Sequence, residues 1–184
     1  MIDDTSSRAP GTGPGGGAAP GGDKSAGGSA TGGSARQSTT IAAPLSVVMD
    51  TIADFERYPE WVSAIRSAEV LSRDDDGRPV DVAFVLVAGI VDDEYRLRYE
   101  WSSDPAEVRW TLAEPSILQK RQSGSYELAP AEAGEIDGEG EATVVTYSID
   151  VELTVDMLGR FRDRARRRII TAALEDLAAR VEER

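Results

Sequence analysis

Along residues 95–101, "YRLRYEW", apolar and charged side chains alternate: Tyr95, Leu97, Tyr99 and Trp101 share one face of an extended chain, and Arg96, Arg98 and Glu100 share the other. Val108, Trp110 and Leu112 repeat the pattern against Glu107, Arg109 and Thr111. Tyr147, Ile149, Val151 and Leu153 repeat it against Thr146, Ser148, Asp150 and Glu152. One dry face and one wet face predict an antiparallel sheet covered on one side. Six strands are expected in "SAEVLSRDDDGRPVDVAFVLVAG", which holds two around "DDDG", and in "DDEYRLRYEWSS", "AEVRWTLAE", "ILQKRQSGSYELAP" and "EATVVTYSIDVELTV". A further strand from Ala35, in the Thr-rich "ARQSTTIAA", makes seven and is closed by Pro44. Short connections favour a meander. "VDVAFVLVAG" is apolar on both faces, so it is expected to be covered twice or to join an association surface.

The period changes twice. After Pro44, Leu45, Val48, Ile52 and Phe55 recur at helical spacing. Tyr58, which precedes Pro59, is expected to leave helical geometry and end that helix. Pro59 then starts a second short helix carrying Trp61, Val62 and Ile65. At the other end, "DMLGRFRDRARRRIITAALEDLAARVEER" predicts the longest helix. Leu158, Phe161, Ala165, Ile169 and Ala172 form one stripe, which Ile170, Leu174, Leu177 and Val181 broaden. Roughly 25 residues at about 1.5 Å each would cross the sheet and cover its dry face. This order predicts an α+β architecture: a curved seven-stranded antiparallel sheet wrapped around a long C-terminal helix, with two short helices between strands 1 and 2.

Composition narrows the chemistry. The 184 residues suit one domain of ordinary size, and 40% hydrophobic content supports a folded core. Residues 1–35 are Gly, Ala, Ser, Thr and Pro with almost no large apolar side chain, so they are expected to be a disordered tail before a domain at 36–184. The phosphate-loop mimic there, "GAAPGGDKS", has no preceding strand or following amphipathic helix to scaffold it. The chain has neither cysteine nor histidine, which removes thiolate nucleophiles, disulfides, Cys/His zinc sites and histidine triads. A net charge of −13 argues against nucleic acid as a partner. The Arg-rich "RFRDRARRR" reads first as a solvated helix face. No apolar run reaches the roughly 18 residues of a membrane span, and the acidic start lacks a signal-like apolar region. A cytoplasmic protein without stable membrane insertion is expected.

Three further stretches bear on a site. "SRDDDG" at 72–77 matches only part of a calcium loop, since Ser72 and Ala83 stand where acidic ligands belong, and it reads as a hairpin turn. "AGEIDGEGEA" at 133–142 reads as a connection between the last two strands. In "LQKRQSGSYEL", Lys120 and Arg121 are adjacent. On a regular strand one would point inward and suit an anionic ligand, unless a bulge or strand end returns it to solvent.

"APLSVVMDTIADFERYPEWV", "AEVLSRDDDGRPVDVAF", "YRLRYEW", "GSYELAP", "VTYSIDVEL" and the final Arg-rich helix together resemble the polyketide cyclase/dehydrase and START-like (SRPBCC) superfamily, in particular its cyclase-like branch from high-GC bacteria. The resemblance spans about residues 36–183. It implies the helix-grip fold and a hydrophobic cavity between sheet and long helix, opening near the two short helices. Trp61 is expected at the mouth, with Phe84, Leu86, Tyr99, Trp101, Trp110, Tyr126, Tyr147 and Phe161 as ligand-binding residues. The function expected first is binding, sequestration or transport of a hydrophobic, lipid-like or polyketide-like molecule. The alternatives are a cofactor-independent polyketide cyclase or aromatase, and a protein-partner or quinone-chaperone-like role. A weak homo-oligomer is the association considered. No acid–base pair stands at a diagnostic spacing, so no catalytic residue is assigned, and neither metal nor cofactor is expected.

Overall fold

The computed structural model describes residues 32–88, 91–102, 106–132, 140–154 and 162–183, and of residues 88, 91 and 162–169 the backbone alone. The alternating segments form β1 (Gly32–Ile41), β2 (Ile65–Arg73), β3 (Pro79–Ala88), β4 (Val91–Trp101), β5 (Glu107–Leu112), β6 (Gln119–Pro130) and β7 (Thr143–Leu153). They make one curved antiparallel sheet in the order β1-β7-β6-β5-β4-β3-β2. Strands 2 to 7 meander, and β1 closes against β7, so the first and last strands are partners. β1 begins at Gly32, three residues before the expected start, with Gly32 opposite Glu152. The small residues of its first turn carry no apolar signal, but a backbone ladder needs none.

Alternation sets the register. Val82, Phe84, Leu97, Tyr99, Val108, Trp110, Leu128, Val145, Tyr147 and Ile149 are all buried, and fully burying such a side chain is worth about 1.5–3 kcal/mol. β3 is not covered twice: Val82 and Phe84 are buried, whereas Ala83 and Val85 are half-buried and Val87 is exposed. "SRDDDG" is a hairpin turn. The Asp74 carboxylate accepts from the backbone N–H groups of Asp76 and Arg78, and Gly77 has φ 80°, which suits a residue without Cβ.

α1 spans Leu45–Ala53 and buries Val48, Thr51 and Ile52. The chain breaks at Asp54, turns through one 3-10 turn (Phe55–Arg57), and runs directly into α2 (Tyr58–Trp61). Tyr58 is therefore not expelled from helical geometry as its proline neighbour predicts: its φ and ψ are −53° and −38°. Its hydroxyl donates to the Ile52 carbonyl at 2.7 Å and its ring packs on Phe55 and Trp61, contacts that outweigh the pre-proline preference. Phe55 is buried as expected, but from the 3-10 turn rather than from α1.

α3 (Arg162–Glu182) packs against β1, β7, α1 and α2. Ile170, Leu174, Leu177 and Val181 are its buried face, the set that the helical spacing selects. Ala172, placed on the apolar stripe from sequence, is exposed. Leu158 and Phe161 lie outside the described residues, as do the side chains of Ala165 and Ile169 and nearly all of the 133–142 connection.

Candidate functional site

The antiparallel register places aromatic residues opposite one another on the inner face: Phe84 against Tyr95, Tyr99 against Trp110, and Tyr126 against Tyr147. Cross-strand neighbours on one face stand close enough for rings to touch. Tyr126 and Tyr147 stack with centroids 4.6 Å apart, Phe84 and Tyr95 with centroids 5.5 Å apart. Trp110 joins Tyr99 to that tyrosine pair. Phe55 meets Tyr99 at 4.5 Å, and Tyr58 links it to Trp61. Ten of the chain's eleven aromatic residues thus form one continuous network, running from the helix-break segment across the inner face; the eleventh is Phe161.

Gly124 makes room for the middle of this network. A Cβ there would lie 2.2 Å from Trp110 Cζ2 and 2.6 Å from the Ser148 carbonyl oxygen. The indole lies across the glycine, where its Nε1 is buried without a partner. Trp101, by contrast, donates to the Pro79 carbonyl at 2.6 Å.

The polar groups divide sharply. Among the described residues the buried polar side chains are Thr51, Asp93, Gln119, Gln122 and Thr143, with no lysine or arginine. Asp93 is completely buried and accepts from Ser116 Oγ (2.9 Å), the Leu118 backbone N–H (3.2 Å) and Gln119 Nε2 (2.9 Å), so it pins the β5–β6 connection to β4. The hydroxyls of Tyr95, Tyr99, Tyr126 and Tyr147 have no hydrogen-bond partner among the described residues. Burial raises the ionisation of all five tyrosines above the ordinary value, and the Tyr147 phenol adds to it at the other four. All five are neutral at neutral pH. Neither Lys120 nor Arg121 points inward. The ladder with β7 shifts between Gln119 and Arg121, which leaves both cations exposed beside Glu152 and Asp150.

The outer face is ionic. Arg98 pairs with Asp81, whose carboxyl it holds below the usual range, Arg109 pairs with Glu107, and Arg36 makes two bonds to Glu127. A cavity of about 340 Å³ opens there, over Ser123, Gly124 and Ser125 between Arg98, Arg109 and Glu127. The space between the inner face and the first half of α3 is bordered by side chains outside the described residues. Among the described residues no group of acidic side chains is placed to hold a metal ion, and no helix is long and apolar enough to cross a membrane.

Of the residues expected to bind ligand, Phe84, Tyr99, Trp101, Trp110, Tyr126 and Tyr147 are brought together on the inner face. Leu86 is half-buried at the end of the same face, and Trp61 is half-buried at the edge of the network against Tyr58. Phe161 lies outside the described residues. Sequence reasoning left Tyr58, Gly124 and Asp93 out of the site. Continuing the β4 alternation back from Tyr95 reaches Asp93, and continuing that of β6 back from Tyr126 reaches Gly124.

Several solved structures share this architecture. A START superfamily protein from Mycobacterium smegmatis superposes with a TM-score of 0.70 at 18% identity, covering 82% of this chain and 97% of that one. The Zhui aromatase/cyclase from Streptomyces sp. R1128 gives 0.66 at 16% identity, covering 83% and 95%. A protein from Thermus thermophilus gives 0.63 at 23% identity, covering 82% and 98%. Likenesses at these identities establish the fold. No curated protein matches the sequence. The model of the family described as polyketide cyclase / dehydrase and lipid transport matches residues 41–178. With about three quarters of its length matched and the helix-grip architecture in place, the chain belongs to the polyketide cyclase / dehydrase and lipid transport family.

Proposed function

We propose that this domain holds a hydrophobic small molecule between the inner face of the sheet and α3. The observation that carries the reading is the concentration of seven of the chain's eleven aromatic rings on that one face, with Phe55, Tyr58 and Trp61 of the helix-break segment joined to them. A core needs apolar volume, but aliphatic residues supply it as well; rings joined edge to face also offer flat surfaces to a ligand. Among the described residues no lysine or arginine is buried, which suits an apolar guest. Trp61, half-buried beside Tyr58, is proposed to stand at the opening, with Phe84, Leu86, Tyr99, Trp101, Trp110, Tyr126, Tyr147 and Phe161 lining the interior.

Organic extraction of the purified protein followed by mass spectrometry tests this. A co-purifying apolar molecule in near-stoichiometric amount is expected, and an extract indistinguishable from that of an unrelated protein would count against it. A second reading, proton transfer to or from a bound ketone, is favoured by the hydroxyls of Tyr95, Tyr99, Tyr126 and Tyr147, which have no acceptor among the described residues. It requires turnover that is lost on a Tyr147→Phe change while binding is retained.

A further inference from the structure

We propose that the outer face of the sheet carries a second binding site, a trough over β4, β5 and β6 that takes a neutral polyhydroxyl ligand, a sugar of one or two rings. It lies on the side of the sheet opposite the aromatic face and stands independently of the ligand-holding reading above.

The antiparallel register builds the trough from three rows of outward-facing side chains. Arg98, Thr111 and Ser123 stand abreast in the first, Glu100, Arg109 and Ser125 in the second, and Glu107 and Glu127 in the third. With strands about 4.8 Å apart and alternate residues about 6.8 Å apart, these rows cover roughly 10 Å by 13 Å. The short side chains of Thr111, Ser123 and Ser125 keep the floor low between the longer ones. The space above them, about 340 Å³, falls in the range of small-molecule pockets.

Unused hydrogen-bonding capacity of both kinds faces this space. The side chains of Glu100, Thr111 and Ser123 make no hydrogen bond among the described residues. Arg109 gives only its Nε–H, to Glu107 at 2.6 Å, and Arg98 gives Nε and Nη2 to Asp81, so three terminal guanidinium nitrogens donate to no side chain among the described residues.

The interleaving of the charges selects the class of ligand. A bare anion would meet Glu100, Glu107 and Glu127, a bare cation would meet Arg98 and Arg109, and either would compete with the ion pairs already formed. A hydroxyl both donates and accepts. Neighbouring hydroxyls of a sugar would therefore bridge guanidinium and carboxylate while leaving each pair intact, through hydrogen bonds of the charge-assisted kind.

The test follows backbone amide shifts of the isotope-labelled full chain during titration with maltose and with N-acetylglucosamine, against sodium sulfate and putrescine as anion and cation. At least one of the sugars is expected to move the amides of Thr111, Ser123, Gly124 and Ser125 saturably, with a millimolar dissociation constant, and the two ions to bind less tightly. Glu100→Ala should weaken that binding roughly 3- to 10-fold by removing one acceptor. Glu94→Ala, at an exposed position of the same strand outside the trough, should leave it unchanged. No saturable shift with either sugar at tens of millimolar, shifts confined to other parts of the molecule, or tighter binding of sulfate or putrescine would overturn the proposal. Because the probes are compared on the unmodified protein, the outcome does not depend on whether a variant folds.

Discussion

Gly124 is the residue on which the inner face turns, because its missing side chain is the space that Trp110 fills. Gly124→Ala would drive a methyl group into the indole and toward the backbone of β7, neither of which can yield cheaply. The expected cost is about 1–3 kcal/mol, read from the urea midpoint. Gly140→Ala, with nothing within 4 Å of the new Cβ, should change stability by less than about 0.5 kcal/mol. The inner aromatics of β4, β5 and β7 were legible from alternation alone, since each sits two positions from another apolar residue. Gly124 was not, because a glycine carries no hydropathy signal and its meaning comes from the strand beside it. Asp93 was hidden for a similar reason. A carboxylate next to Asp92 at a strand start reads as a turn residue, and only the distant donors of Ser116, Leu118 and Gln119 explain its burial.

At the scale of elements, the segment 54–61 is held on two sides. Glu56 approaches Arg73 of β2 at 3.6 Å, and Glu60 meets Arg180 of α3 at 2.5 Å. The Arg180 side chain is only 15% exposed, so this second pair is partly desolvated and stronger than an ordinary surface pair. Glu60→Gln is expected to destabilise the protein by about 1 kcal/mol at low salt and by less at molar salt. Glu114→Gln, whose pairing with Arg96 is well exposed, should have little effect in either condition. Urea titrations of both variants at two ionic strengths check this. Helical spacing foretold the α1 residues and the buried face Ile170, Leu174, Leu177 and Val181. It missed the helical Tyr58 because a local steric rule was overruled by a tertiary hydrogen bond. The adjacency of Lys120 and Arg121 left a bulge open as one of two outcomes, and the β6–β7 ladder selected it.

Across the whole molecule, the order of periodic segments foretold a curved sheet grasping a long helix, because six strands with short connections leave few topologies. The same burial makes the fold sensitive to alkali. Unfolded tyrosines ionise near pH 10, while the folded phenols, raised by burial, keep their protons. The unfolded chain then binds fewer protons than the folded one, so stability is fully present below about pH 10 and falls as pH rises above it, by up to about 1.4 kcal/mol per pH unit for each phenol. New tyrosinate charge also adds to a chain already at −13. Tyrosinate absorbance should therefore appear together with loss of circular dichroism, in one cooperative transition, rather than before it. The central claim, an apolar guest held against the aromatic face, is tested most directly by titration with the neutral fluorescent probe N-phenyl-1-naphthylamine. The account predicts saturation at one probe per chain, affinity in the micromolar range or better, and quenching of tryptophan emission through Trp110. Unsaturable uptake with unchanged tryptophan emission would contradict it.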